Sequence, residues 1–207
     1  MREFKTSKSK ETYRRVLNSA MRLFSEKGYD KTTMRAVSKE AGLGLGALYY
    51  YFPSKESIIL RFYEELQKEL RMEWEVADPG QGVHLEERLK AFLSFKLQKL
   101  EPYRPLMTVL LKEAVDPDSR LNPLSSDSKT ALDQSLGIFE SLVATEEAKT
   151  DMAKLLWLGH LALIGLWIHR PEKAEKAIEL FAETAPFLTL WVDGGSALLE
   201  LLSDEPG

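Results

Sequence analysis

The stretch GLGLGALYYYFPSKES, residues 42–57, places three consecutive tyrosines just after three glycines. Neighbouring residues on an α-helix point about 100° apart, so one core face cannot take all three rings. If Leu48 and Phe52, four residues apart, face the core, Tyr50 points outward and the other two tyrosines flank it. Tyr49 is then expected to be the most buried of the three. At least one exposed ring is predicted, and an exposed aromatic side chain on a helix usually contacts a partner.

Short helices are predicted on both sides of a glycine turn. The first is capped by Thr32 or Thr33, and the second covers about residues 45–52. Two short helices joined by a tight turn are typical of a helix-turn-helix, whose second helix enters the major groove of DNA. Gly46, on the exposed face of that helix, lets the backbone approach a surface closely. Tyrosine hydroxyls can donate to phosphates, so the pattern favours a helix that faces DNA.

The charge distribution agrees with a nucleic-acid partner at one end of the chain. The net charge of the 207 residues is −4. Residues 1–56, however, carry 12 Lys and Arg against 6 Asp and Glu, and the remainder of the chain is acidic. A basic head on an acidic body is expected when one end meets a polyanion, although a solvated charge run would look the same.

The composition excludes several kinds of site. The chain has no cysteine, so disulfides and thiolate metal sites are excluded. Its three histidines show no metal-ligand spacing, and no glycine-rich phosphate loop is present. We therefore expect no enzymatic activity, no metal and no cofactor. The longest apolar run, LLWLGHLALIGLWI (155–168), has 14 residues, which is too short to span a bilayer. The charged N-terminus is not a secretory signal, and together these features predict a cytoplasmic protein with no membrane partner.

The chain as a whole is predicted to be all-α, with about nine helices. Apolar residues recur at spacings of three and four throughout, and strand-length alternation does not occur. The segment DPDSRLNPLSSD, residues 116–127, is rich in turn formers and is the least ordered-looking internal stretch. The predicted helices cover approximately residues 9–27, 33–41, 45–52, 54–76, 84–100, 105–115, 128–143, 146–168 and 171–192.

Residues 32–59, TTMRAVSKEAGLGLGALYYYFPSKESII, resemble the DNA-binding domain of the TetR family of bacterial transcriptional regulators. The resemblance includes the preceding helix and covers roughly residues 11–62. Its most specific part is the aromatic run ending in Phe, followed by Ser-Lys-Glu, after a glycine-rich turn. The resemblance implies a three-helix helix-turn-helix domain over residues 1–53 and a larger helical ligand-binding and dimerisation domain over residues 54–207.

The resemblance also implies which residues contact DNA. Thr33 and Lys55, each at a helix N-terminus, match positions that usually contact phosphates, where backbone amides and the helix dipole favour an anion. Arg35 would lie near the groove, although it could instead pair with a neighbouring acid, and Lys55 could simply begin a solvated helix. The recognition helix would contact DNA through Leu45, Gly46, Ala47, Tyr49, Tyr50 and Tyr51.

The predicted recognition helix has two unusual features. Many family members carry serine where this chain has Gly44, and glycine at that cap costs roughly a few tenths of a kcal/mol relative to serine. From Leu43 to Phe52 there is no Arg, Lys, Asn or Gln, so the strongest bidentate base contacts are missing. Base reading would then rest on thymine methyls, tyrosine hydroxyls, Arg35 and DNA shape.

The last two helices predict a surface for a partner. The eighth carries small residues among large ones, and the ninth has apolar side chains on two faces, one for the core and one for another helix. Pro186 is expected to kink the ninth helix. The resemblance implies a homodimer through a four-helix bundle of these helices, although both faces could be buried within one chain. The predicted interface residues are Gly159, Ala162, Leu166, Ala174, Ile178, Phe181 and Leu188.

The resemblance places a small-molecule site among the fourth to eighth helices. Taken alone, each candidate is more often plain core, but a histidine inside an apolar helix needs a core acceptor or a polar group of a ligand. The apolar and aromatic side chains there predict a hydrophobic or amphipathic effector. The candidate lining residues are Trp74, Phe92, Phe95, Tyr103, Met107, Leu110, Trp157 and His160.

These features together predict a ligand-responsive transcriptional regulator that binds a palindromic double-stranded DNA operator as a homodimer. Repression relieved by the ligand is the family default. The alternative is a non-enzymatic lipid- or isoprenoid-binding protein on the same fold that binds no operator. The basic head and the set Thr33, Tyr51 and Lys55 favour the regulator. An architectural DNA-binding protein is a third hypothesis, which would leave the large apolar body unexplained.

Overall fold

The computed structural model describes residues 7–80, 82–143 and 149–192. Within these ranges the chain is all-α, as predicted, with no strand. A 3-10 turn precedes the sixth helix and another precedes the ninth. The helices are α1 (Ser7–Lys27), α2 (Met34–Glu40), α3 (Leu45–Tyr51), α4 (Lys55–Ala77), α5 (Leu85–Leu100), α6 (Arg104–Ala114), α7 (Lys129–Leu142), α8 (Lys149–His169) and α9 (Ala174–Val192).

The chain forms two compact units, Met1–Glu65 and Leu66–Gly207. The first unit contains α1, α2, α3 and the beginning of α4, and the second contains the remainder of α4 and the helices that follow. The functional division that the sequence suggests at residue 53 stays a prediction.

The core of the first unit is built from an apolar stripe of α1. Its buried residues are spaced at three and four, so they line one face of the helix. These residues are Val16, Leu17, Ala20, Leu23 and Phe24. Leu48 and Phe52 of the α3 region are buried too, as predicted, and the Phe52 ring stacks on Tyr13 of α1 with 5.1 Å between ring centroids. This stack fixes the end of α3 against α1.

Two adjacent threonines make different hydrogen bonds at the start of α2. Thr33 is the N-cap, and its hydroxyl oxygen accepts from the amide of Ala36 at 3.1 Å. Thr32 is buried and donates back to α1, toward the carbonyls of Leu23 and Gly28. Gly42 ends α2 with φ +64, the left-handed conformation that glycine adopts without strain. The helix-turn-helix geometry therefore follows from local capping.

The second unit packs α8 against α6, α7 and α9, and α9 against α5. The Phe181 ring of α9 packs directly against Gly159 of α8, where a methyl group would overlap it. α9 continues through Pro186. By length and composition the segment Thr150–His169 could also cross a membrane, but the buried core helix of a soluble protein passes the same test.

A buried arginine ties three parts of the second unit together. Arg88 of α5 donates two hydrogen bonds to the carboxylate of Asp78, at 3.0 and 2.6 Å. It also donates to the carbonyls of Ser141 and Leu142, which end α7 and would otherwise lack helical partners. These bonds hold the pKa of Asp78 below its usual value. Arg88 thus closes the end of α7 onto α5 and the loop after α4.

The segment 116–127 is more regular than the sequence suggests. It is a series of turns in which the Asn122 side chain donates to the carbonyls of Ala114 and Asp116, each at 3.0 Å. Arg120 pairs with Asp127 at 2.7 Å. The turn-forming residues therefore specify a hydrogen-bonded connection between α6 and α7.

Candidate DNA interface and ligand site

α3 presents an apolar and aromatic surface to solvent. Tyr50 is 61% exposed and Tyr49 is 48% exposed. Gly46 and Ala47 are exposed on the first turn, and Leu45 is half-buried. No atom lies within 4 Å of a methyl group built at Gly46, so packing within the described structure does not require glycine there. The exposed surface of α3 is therefore small and flat at its N-terminal end and aromatic at its C-terminal end.

The order of burial among the three tyrosines differs from the prediction. Tyr51, and not Tyr49, is the most buried, since only Tyr51 is half-buried. Its ring meets that of Tyr50 edge-on, with 5.5 Å between centroids. The prediction of Tyr49 as the most buried was wrong because the periodicity of a helix does not distinguish the two flanks of Leu48. In the folded chain only the flank that carries Tyr51 is covered.

Thr33 and Arg35 at the start of α2 are both exposed. Thr33 uses an oxygen lone pair to cap α2, which leaves its hydroxyl proton for an external acceptor. Arg35 makes no ion pair with any residue that the structure describes. The alternative that a neighbouring acid holds Arg35 is therefore not what this structure shows, and the guanidinium is open to an anion.

Lys55 is held in place at the beginning of α4. Its ammonium donates to the carbonyl of Tyr29 at 3.0 Å and lies 4.2 Å from the centroid of that ring. The Tyr29 hydroxyl donates to Glu56 at 2.7 Å. Ser54 and Ser57 cap the helix reciprocally, each hydroxyl accepting from the other residue's amide. The lysine therefore does more than begin a solvated helix, because two of its ammonium protons remain at a fixed helix N-terminus.

α1 adds a basic face that the residue-by-residue prediction missed. Exposed Lys10, Arg14 and Arg15 line a shallow surface on this helix, together with uncharged neighbours, Glu11, and Arg22, which pairs with Glu40. Their spacing of four and seven could have identified this face from the sequence, since such residues share one side of a helix. A polyanion bound by the first unit would meet additional positive charge here.

In the second unit, five of the eight predicted ligand residues belong to one aromatic cluster. The Trp74 ring lies 5.2 Å from Phe92 and 5.7 Å from Phe95. His160 adjoins Trp157, with 6.1 Å between ring centroids.

Phe139, which was not predicted from the sequence, joins the two groups. Its ring centroid lies 5.3 Å from that of Phe92 and 4.9 Å from that of His160. Tyr103 lies in the 3-10 turn before α6, and Met107 and Leu110 lie on α6. We define the aromatic cluster as Trp74, Phe92, Phe95, Phe139, Trp157 and His160.

A lysine lies within this cluster. The Lys96 ammonium is buried, 3.2 Å from Nε2 of His160, with the rings of Phe92 and Phe139 at 5.7 and 5.4 Å. Burial lowers the pKa of Lys96 to about 7. Burial, and secondarily the charge of Lys96, hold the pKa of His160 well below its usual value. His160 is therefore neutral, and its Nδ1 bonds the carbonyl of Trp157.

A surface groove of about 540 Å³ lies elsewhere in the second unit. Its lining includes Leu97, Trp167, Ala174 and Ile178, and no predicted ligand residue takes part in it. Among the described residues, no group of three or more His, Asp or Glu side chains could hold a metal ion.

The predicted interface residues of α8 and α9 fall into different environments. Ala162 is exposed, and Leu166 and Phe181 are half-buried. Ala174 and Ile178 are buried within the single chain, and the side chain of Leu188 lies outside the described part. Leu180 of α9, which was not predicted, is 52% exposed.

Comparison with known proteins agrees with the geometry of the first unit. Residues 16–62 match the family described as bacterial regulatory proteins, tetR family. YuxN of Bacillus subtilis (strain 168), an uncharacterized HTH-type transcriptional regulator, is 41% identical over 51 residues, which are 25% of this chain and 18% of YuxN. The chain thus matches less than a fifth of that relative. The HTH-type transcriptional regulator AcrR of Shigella flexneri is 24% identical over 176 residues, 79% of this chain and 81% of AcrR.

The fold of most of the chain also has solved counterparts. FadR of Thermus thermophilus, a TetR-family transcriptional repressor solved in complex with lauroyl-CoA, has a TM-score of 0.66 at 18% identity. The match covers 84% of this chain and 92% of that one. The family match lies on α1 to α4, where the capped helix-turn-helix is found, and these relatives are transcriptional regulators. Residues 16–62 therefore match the tetR family of bacterial regulatory proteins, and the chain shares the fold of a solved TetR-family repressor.

Proposed function

We propose that this protein is a ligand-responsive repressor that binds a palindromic operator as a homodimer. One observation carries the proposal: α3 exposes Gly46, Ala47, Tyr49 and Tyr50 while Leu48 anchors it from behind. A small, flat first turn lets the helix approach the groove floor, and the tyrosines reach sugars, phosphates and thymine methyls. The family resemblance assigns the same residues to DNA contact.

Phosphate contacts come from helix N-termini on either side of α3. Thr33 opens α2 and Lys55 opens α4, so each combines free amides and a positive dipole end with a side-chain donor. Tyr51 completes the phosphate set, whereas Arg35 lies near the groove and Leu45 contacts DNA at the start of the recognition helix. We assign residues 1–53 to DNA binding and residues 54–207 to ligand binding and dimerisation, in a cytoplasmic protein without a membrane partner.

The dimer is proposed to form through α8 and α9. Ala162, Leu166, Leu180 and Phe181 offer apolar surface that the single chain leaves wholly or partly exposed. A two-fold dimer presents two recognition helices to the half-sites of a palindrome. Introducing Arg at Leu180 should yield a monomer in sedimentation velocity. The matched control Val115→Arg, at the C-cap of α6 where the apolar side chain is 82% exposed, should remain dimeric.

The effector is proposed to bind among the aromatic rings of the second unit. The aromatic cluster supplies apolar surface, and the Thermus thermophilus FadR, with the same fold, was solved with an acyl-CoA. A ligand that binds the DNA-competent and DNA-incompetent states unequally would shift their populations, and DNA would change ligand affinity by the same factor. α4 belongs to both units and is the covalent route for this coupling.

The test is selection of bound duplexes from a random DNA pool, read by sequencing. The wild-type chain should enrich a palindrome. Tyr50→Ala should relax or lose that sequence, whereas Lys55→Ala should weaken binding uniformly across sequences. Lys68→Ala removes an equivalent exposed charge from the second unit and should match the wild type. No enrichment, with no binding even at low salt, would favour the lipid- or isoprenoid-binding alternative instead.

A further inference from the structure

Lys96 occupies a position that the periodicity of α5 reserves for apolar residues. It lies four residues after Phe92 and seven after Leu89, and both of these are buried. Lys96 itself is 1% exposed. A lysine is almost never fully buried unless a partner offsets the loss of hydration. Its burial therefore requires a group that stabilises the ammonium.

The described structure offers it only a neutral acceptor. Nδ1 of His160 bonds the Trp157 carbonyl, and since a carbonyl can only accept, Nδ1 carries the proton. Nε2 is then a lone-pair acceptor for Lys96 at 3.2 Å. Two ring faces, Phe92 and Phe139, add a weaker attraction. Among the described residues no carboxylate forms an ion pair with Lys96, so one acceptor serves three donors.

Other buried polar atoms of the same unit also lack partners within the described structure. Both amide atoms of Gln67, the indole N–H of Trp74 and the hydroxyl of Ser135 are buried without a hydrogen bond. Trp74 belongs to the aromatic cluster itself. Gln67 lies two turns before it on α4, and Ser135 lies one turn before Phe139 on α7. Native proteins leave few such groups unsatisfied, so their concentration on helices that carry the cluster indicates a polar guest.

We infer that the aromatic cluster receives an amphipathic monocarboxylate whose headgroup forms an ion pair with the Lys96 ammonium. His160 holds the lysine in place, and the apolar chain of the ligand lies against the rings. A single negative charge matches the positive charge of Lys96, because any excess charge in so dry a site would remain uncompensated. Two other cationic groups near aromatic rings of this unit already have carboxylate partners. Lys99, which lies over Phe95, pairs with Glu73, and Arg104, which stacks on Trp167, pairs with Glu101. The inference rests on the proposed function, since it names the class of effector.

The experiment compares decanoate with 1-decanol, which has the same chain length and no charge. Binding to the full chain is followed by the fluorescence of its tryptophans and by calorimetry. The wild type should bind decanoate at least about tenfold more tightly than decanol. Lys96→Met should lose that preference and retain decanol binding, because methionine keeps the apolar part of the side chain. Lys90→Met, at an exposed lysine of the same helix that pairs with Glu179, is the matched control and should behave as the wild type.

Loss of binding in Lys96→Met would not result from loss of folding. Replacing a buried lysine that lacks a counter-charge by methionine removes a desolvation cost, so Lys96→Met should melt at or above the wild-type temperature. The inference is overturned if Lys96→Met binds decanoate as the wild type does. It is equally overturned if the wild type prefers decanol, or binds no saturated carboxylate from octanoate to hexadecanoate.

The outcomes separate this inference from the proposed function. An enriched operator without carboxylate binding would retain the regulator and reject the assigned effector. Lys96-dependent carboxylate binding without any DNA binding would reject the regulator and retain the site, in a lipid-binding protein.

Discussion

The surface of α3 exposes aromatic side chains, whereas the interior of the second unit buries charged and polar side chains. α3 exposes Tyr49 and Tyr50 and has no charged side chain, although it lies in the basic part of the chain. The second unit buries Arg88, Lys96 and His160 in an otherwise apolar core. Arg88 meets a carboxylate and two carbonyls within the chain, whereas Lys96 meets only a neutral acceptor. A buried charge with internal partners is thus structural, while an uncompensated charge or an exposed aromatic surface indicates an external partner.

The largest effect on stability is expected from removing Arg88, the buried charge that has partners within the chain. Arg88→Ala leaves the Asp78 carboxylate and two α7 carbonyls without their donor, so we expect the free energy of unfolding to fall by about 3–5 kcal/mol. Urea denaturation measures the change. The control Lys90→Ala removes only an exposed pair with Glu179 and should cost no more than about 1 kcal/mol. Equal losses in both variants would contradict the structural role of Arg88.

The next prediction concerns Lys96, the buried cation without a counter-charge in the described structure, and the pH dependence of stability that it causes. The pKa of Lys96 is about 7 in the folded chain and 10.5 for an ordinary lysine, so between these values the unfolded chain binds a proton that the folded chain has released. The stability of the wild type relative to Lys96→Met should therefore rise as the pH increases from about 7 to about 10. Guanidinium denaturation of both chains across this range measures it. A difference that is independent of pH would show that Lys96 keeps its proton.

Substitution of two glycines, one in the interior and one on the surface, should change stability in opposite directions. Gly159→Ala places a methyl group against the Phe181 ring and should cost about 1–3 kcal/mol of stability. Gly46→Ala meets no atom and should stabilise the chain by about 0.5 kcal/mol, because alanine is the better helix former. Thermal unfolding of both variants tests the opposite signs. Gly46→Ala should nevertheless bind DNA more weakly than the wild type, and undiminished binding would remove Gly46 from the interface.

The smallest expected effect is at the cap of α3. Gly44 has extended backbone angles and no side-chain hydrogen bond, and its surroundings leave room for a side chain. Gly44→Ser should add a cap to α3 and stabilise the chain by roughly a few tenths of a kcal/mol. Gly44→Ala is the control, since it adds a side chain without an acceptor. If alanine stabilised the chain as much as serine, capping would not be the cause.

The two units also differ in how far the sequence predicts them. Helix bounds and the α2–α3 turn follow from local signals, so the apolar stripe of α1 and the cap at Thr33 were predictable. The ligand site depends on contacts between distant residues, and Lys96 meets His160 across 64 residues of sequence. The sequence shows that Lys96 interrupts an apolar stripe. Its burial, however, depends on tertiary packing and cannot be predicted from the stripe. Phe139 gave no such signal, because an aromatic residue on α7 is ordinary core until its neighbours are known.

The most direct test of the central claim is the salt dependence of binding to the enriched duplex. We predict that Lys55→Ala weakens binding and reduces the slope of log affinity against log salt by about 0.9 for each phosphate that the variant no longer neutralises. Tyr50→Ala should lower affinity for the enriched palindrome while leaving the slope close to that of the wild type. This pair of results would assign phosphate binding to the start of α4 and sequence reading to α3. An unchanged slope in Lys55→Ala, together with undiminished specificity in Tyr50→Ala, would contradict both assignments.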